Sequence, residues 1–150
     1  MRAVRSSLVA VLTLGLAVAA FGPNAGADST LNKKQYLKAG NGICDAASTE
    51  FQAMWDELDA QGGGEPTPEQ LEWIIGREVV ILRTMFDGLE TLKGPKPLTK
   101  KVGALLDKFG ALVDDIEADP ASIDENTAPY RKSGKKIKKL GLTRCPPPNA

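Results

Sequence analysis

The sequence predicts an all-α fold: an up-down-up-down four-helix bundle with one disulfide between helix 1 and the C-terminal tail. Three observations predict it. Apolar residues recur at three- and four-residue spacing through four stretches, and no stretch alternates with period two for long enough to be a strand. Short segments bearing glycine and proline separate the stretches, and short connections make neighbouring helices antiparallel. The chain has two cysteines, Cys44 in the first stretch and Cys145 just beyond the last. No internal repeat at a fixed period is present.

Residues 1–27 precede the bundle and read as a signal peptide. Arg2 and Arg5 lead into the apolar run Leu8 to Phe21, Pro23 breaks it, and Ala25-Gly26-Ala27 offers small residues where a signal peptidase cuts. The run is short for a bilayer-spanning helix. No cysteine follows it directly, which argues against a lipoprotein, and no adjacent arginines mark the twin-arginine route. Cleavage after Ala27 is expected, with a secreted or otherwise extracytoplasmic domain over residues 28–150. Loss of Arg2 and Arg5 leaves 17 basic against 19 acidic residues. An oxidising compartment then favours pairing of the two cysteines.

Helix 1 is announced by Asn32, with Gln35 three residues on as the capping-box partner and Leu31 and Tyr36 at the hydrophobic-staple positions. Its apolar stripe is Tyr36, Gly40, Ile43/Cys44, Ala47, Phe51, Met54/Trp55 and Leu58, and Gly62-Gly63-Gly64 ends it. Helix 2 opens on Thr67-Pro68-Glu69-Gln70, a threonine cap with proline at the first helical position. Its stripe is Leu71, Ile74/Ile75, Glu78, Ile81/Leu82, Met85, Leu89 and Leu92, stopped by Gly94-Pro95 and Pro97. Helix 3 is expected from about Leu98 to Ala118, burying Val102, Leu105/Leu106, Phe109, Leu112/Val113 and Ile116, and closing at Asp119-Pro120. Helix 4 is expected to cap at Thr127, with Pro129 in its first turn and Tyr130, Ser133/Gly134, Ile137 and Leu140 on one face. Gly141 then suits a left-handed C-terminal cap, and Leu142 its apolar contact.

In this topology helix 4 ends beside the start of helix 1. Cys44 lies twelve residues past Asn32, about 18 Å along the axis. Residues 141–145, extended, travel roughly 15 Å back, so Cys145 reaches Cys44. A redox-active pair would call for Cys-x-x-Cys spacing, which is absent. The stretches "YLKAGNGIC" and "GLTRC" also resemble small secreted helical proteins of actinobacteria, in their leader, their Ile-Cys in the first helix and their Gly-Leu-x-x-Cys ending. That resemblance covers the architecture of the mature chain; it implies the bundle and the disulfide and carries no activity.

The chain has no histidine. That removes the usual general base, the Ser-His-Asp triad and the Glu-x-x-His ligands of di-iron bundles. Gly62-Gly63-Gly64 lacks the Gly-Lys-Ser/Thr of a phosphate loop. Met54 and Met85 read as core filling rather than copper ligands. Glu78 lies in an apolar seam between Ile75 and Leu82; it is either an edge carboxylate reaching water or an arginine, or a buried functional acid. No catalytic residue, metal site or cofactor is expected. With zero formal net charge over the chain, no nucleic-acid partner is expected either.

One pattern remains. The expected topology sends Lys33, Lys34, Lys38, Lys93, Lys96, Lys100, Lys101, Lys135, Lys136, Lys138, Lys139 and Arg144 to one end. It sends Asp56, Glu57, Asp59, Glu65, Glu69, Glu72, Asp114, Asp115, Glu117, Asp119, Asp124 and Glu125 to the other. Helices 2 and 4 place acids first and bases last, as the helix dipole favours, whereas helices 1 and 3 reverse that order. Local stability therefore does not account for the poles. Either exposed, screened charges drifted there at little cost, or the basic pole docks on an anionic envelope surface or an acidic protein. The expected role is non-enzymatic binding at or outside the cell envelope. The alternatives are a small-ligand carrier using the bundle interior and an enzyme with unrecognised carboxylate chemistry.

Because the leader serves export rather than packing, deleting residues 1–27 should leave the thermal midpoint unchanged. A scanning-calorimetry comparison of the two forms checks this, and a large drop on deletion would make the segment a structural helix.

Overall fold

Asn32 starts the first helix as its sequence promises. Its side chain accepts from the Gln35 N–H at 3.0 Å, and the Gln35 side chain accepts from the Asn32 N–H at 3.0 Å. The computed structural model describes residues 30–62 and 65–145, apart from the side chains of 121 and 123–127. The expected leader, residues 63–64 of the triple glycine, and the closing prolines lie outside the described residues, and the acids expected at positions 124 and 125 fall among the side chains not described.

Four α-helices follow: α1 (Lys33–Ala60), α2 (Pro68–Thr91), α3 (Lys96–Ala118) and α4 (Ile123–Lys139), with a 3-10 turn, Pro120–Ser122, between the last two. No strand occurs among the described residues. α2 has a second full capping box, between Thr67 and Gln70, and caps of this kind contribute about 1 kcal/mol each. α1 packs on α2, α2 on α3 and α3 on α4. The Leu31 N–H donates to the Lys93 carbonyl at 2.8 Å, tying the entry of α1 to the exit of α2.

Two helix starts differ from expectation. α3 begins at Lys96 rather than Leu98, with Pro97 at its second position. Proline is tolerated there because that N–H has no intrahelical acceptor. α4 begins at Ile123, so Thr127 does not cap it and Pro129 lies inside the helix. The tight 3-10 turn after Asp119 leads the backbone into α4 a turn earlier, at the cost of one helical N–H donor at Pro129.

The core follows the expected stripes closely in α1, α3 and α4. Tyr36, Cys44, Met54, Val102, Phe109, Val113, Tyr130 and Ile137 are all buried. Each large apolar side chain so buried contributes roughly 1.5–3 kcal/mol. Phe109 joins three helices, its ring centroid 5.7 Å from Phe86 and 4.8 Å from Tyr130. α2 departs from its stripe: Leu71 is 47% exposed, while Val79 and Phe86 are buried. α2 is sandwiched between α1 and α3, so its buried sector is wider than one stripe and is turned toward α3.

The chain closes through its tail. Gly141 adopts φ +104° after the end of α4, a conformation that favours glycine. Leu142 is fully buried and lies where a Cβ on Gly40 would come within 2.5 Å of it. Cys145 is bonded to Cys44, closing a separation of 101 residues. In the chain-entropy model a loop of that length is worth about 4–5 kcal/mol. Gly42, two residues from Gly40 on the same helix, faces open space.

These two glycines make a matched test. Gly40→Ala should lower stability by about 1–3 kcal/mol by displacing Leu142. Gly42→Ala should raise it by about 0.5–1 kcal/mol through helix propensity alone. Urea denaturation measures both; equal stabilities would mean the tail does not seat on α1 as described.

Candidate functional site

The lysines gather where two helices begin and one ends. Lys33 stands in the first turn of α1, Lys101 in the second turn of α3 and Lys139 at the last residue of α4. They line one shallow depression of about 330 Å³ together with Pro95, Pro97, Leu98 and Leu140. Leu98 and Leu140 are half-buried, packed inward against the core, so their remaining surface forms an apolar floor. No acid lines the depression. Lys34, Lys38, Lys100, Lys135, Lys136 and Lys138 are exposed on the adjoining turns of the same three helices, and Lys93 sits beside the entry of α1 through its carbonyl.

The helix ends reinforce this field. Neither α1 nor α3 has an acid in its first turn, and α3 has no side-chain cap at all. Each helix N-terminus carries roughly half a positive charge. The depression is lined from the starts of α1 and α3 but from the end of only one helix, α4. The dipoles therefore add to the lysines there. On α4 the order is favourable, with Lys136, Lys138 and Lys139 in the last turn. On α2 the expected basic finish is absent, because the helix ends at Thr91, before Lys93.

The poles are less pure than the sequence suggests. Arg144 does not join the lysine end. The tail runs back along α1 to Cys44, and the Arg144 Nε lies 3.5 Å from Asp45 Oδ1. At the acidic end, Arg83 of α2 pairs with Asp114 at 2.8 Å and also with Glu117. These groups are exposed, so the pairs contribute little to stability. A second groove, of about 520 Å³ between α2 and α3, is lined by Asp87, Glu90, Asp107 and Asp114 around Arg83 over a floor that includes Phe86 and Leu106.

Glu78 is half-buried on α2 and has no ion pair, with an arginine or otherwise, among the described residues. Burial pushes its carboxyl above the usual glutamate range. Burial, and secondarily the charge of Glu78, push the Tyr130 hydroxyl well up. Glu78 lines neither the depression nor the groove. Met54 and Met85 lie in the core. Among the described residues no cluster of three or more acids and cysteines is arranged to hold a metal ion, and no helix is long and apolar enough to cross a membrane.

Asn41 is the residue that sequence reasoning passed over. Its Nδ2 donates to the Leu37 carbonyl at 2.8 Å and to the Gly141 carbonyl at 3.1 Å. Its Oδ1 accepts from the Arg144 N–H at 2.8 Å. A single amide thus holds both ends of the tail turn that places Leu140 beside the depression. The available signal was the weak helix former Asn between two glycines in mid-helix, which implies an outside hydrogen-bond partner.

The burial of Glu78 has a direct pH consequence. The folded chain holds the Glu78 proton to higher pH than the unfolded chain does. Stability from this site is therefore present below the ordinary value of 4.5 and is lost as pH rises through the raised folded value. Glu78→Gln should raise the thermal midpoint at pH 7, and the gain should shrink toward zero on acidification below about pH 4.5. Melting curves of both proteins across that range check it; a gain independent of pH would remove the charge from the explanation. No protein-family model matches this chain, and neither does any curated protein or solved structure at a significant level of similarity.

Proposed function

We propose that this protein is an extracytoplasmic, non-enzymatic binding protein that docks through its lysine-rich end on an anionic envelope surface. The observation that carries this reading is the convergence of Lys33, Lys101 and Lys139, from three helices, around one depression free of acids. Such a cluster focuses positive potential and raises the local concentration of anionic partners. The lysines at the starts of α1 and α3 oppose their helix dipoles, so helix stability does not account for them. The leader pattern of residues 1–27, the cysteine pair and the likeness to small secreted helical proteins support the extracytoplasmic address.

Many weak, screened contacts make such docking salt-sensitive. Binding to phosphatidylglycerol vesicles should be measurable by co-sedimentation at low ionic strength and weaken as the Debye length falls below about 8 Å. Each lysine near the surface contributes about 1 kcal/mol. Replacing Lys135, Lys136, Lys138 and Lys139 by glutamate should abolish binding, whereas neutralising Asp114, Asp115 and Glu117 should not. If the wild-type protein ignores anionic vesicles at low salt, the docking role is wrong.

A further inference from the structure

Resting on that docking reading, we infer that the depression between the starts of α1 and α3 and the end of α4 seats one anionic phospholipid. Its phosphate lies among Lys33, Lys101 and Lys139, and the first methylenes of its acyl chains lie on Leu98 and Leu140.

The lining carries the argument because it has two chemistries in one place. Three lysines line it, each from a different helix, and the rest of its lining is the hydrocarbon of Pro95, Pro97, Leu98 and Leu140. A diffuse cationic face needs no apolar floor. A free phosphate or a hydrated wall polymer satisfies the lysines but leaves Leu98 and Leu140 in water. An anionic lipid satisfies both, since only its glycerol and ester groups separate the phosphate from the first methylenes of its chains. The lysine stems add to the apolar wall while their charged ends stay outermost.

Size and neighbouring charge narrow the choice further. About 330 Å³ is at the small end of ligand sites. It takes a headgroup and the beginning of the chains, while the rest of the chains stay in the bilayer. The protein therefore sits on the membrane rather than carrying the lipid away. The larger groove between α2 and α3 is lined by four carboxylates and repels the same headgroup.

A matched pair of triple variants separates a seat from a diffuse field. One replaces Lys33, Lys101 and Lys139 by glutamine. The other replaces Lys34, Lys100 and Lys136, which lie on the same three helices and are also exposed, and it removes the same charge. In phosphatidylglycerol vesicle titrations of the purified, disulfide-bonded protein, the first triple should lose at least about tenfold more affinity than the second. Far-UV circular dichroism confirms that both remain folded. In ¹H–¹⁵N spectra of the wild type, dihexanoyl phosphatidate below its micelle concentration should shift the amides of Lys96, Leu98, Thr99, Lys100 and Lys101 and those of residues 139–142. It should do so at concentrations about tenfold or more below those inorganic phosphate needs. Equal losses from the two triples would overturn the seat while leaving salt-dependent docking intact. Equal potency of inorganic phosphate, or tighter binding of soluble poly(glycerol phosphate), would overturn the lipid assignment. Absence of wild-type binding to any anionic vesicle would remove the docking reading itself.

Discussion

The seating of residues 141–145 on α1 is the constraint on which the rest of this molecule depends. The helices pack in chain order, α1 on α2, α2 on α3 and α3 on α4. The return from the last helix to the first is made by the tail. Leu142 fills the space left by Gly40, Asn41 holds the Gly141 carbonyl and the Arg144 N–H, and Cys145 is bonded to Cys44. Apolar burial, a two-sided amide and a covalent link act within one turn of α1. The bonds are local, but the loop they close spans 101 residues. Their effect on the unfolded chain is therefore large.

That closure also builds the lysine end. Fixing Gly141 and Leu142 against α1 fixes the last turn of α4. The Leu31–Lys93 hydrogen bond holds the start of α1 against the exit of α2, and α3 begins three residues after Lys93. Lys33, Lys101 and Lys139 are far apart in sequence, yet they meet around one depression because these two ties converge there. The charge cluster is thus a product of the same contacts that hold the bundle shut. Its positive field is strengthened by two helix N-termini that carry no acid.

The half-buried carboxyl of Glu78 on α2 is the counter-case. Its charge acts on the buried Tyr130 hydroxyl, and no ion pair among the described residues offsets it. Burial alone sets the direction of its titration. The basic end and this acid are therefore different kinds of charge: one exposed and collective, the other single and desolvated.

Much of the fold was legible in the sequence because it rests on local chemistry. The Asn32 and Thr67 capping boxes, the helical stripes of α1 and α3, and the Gly141-Leu142 ending each depend on residues within a turn or two of one another. The cysteine pairing followed from topology and chain reach, since three antiparallel connections bring the end of helix 4 beside the start of helix 1. What the tertiary structure decided involves contacts between distant segments. The exposure of Leu71 and burial of Val79 and Phe86 follow from α2 lying between two neighbours. The early start of α4 follows from a 3-10 turn that overrides the expected threonine cap. Arg144 was assigned to the lysine end by its place in the chain, but the tail carries it along α1 to Asp45. The lysine-lined depression and the Asn41 clamp exist only once the ends of three helices are brought together, because no local pattern encodes a site whose parts lie more than a hundred residues apart.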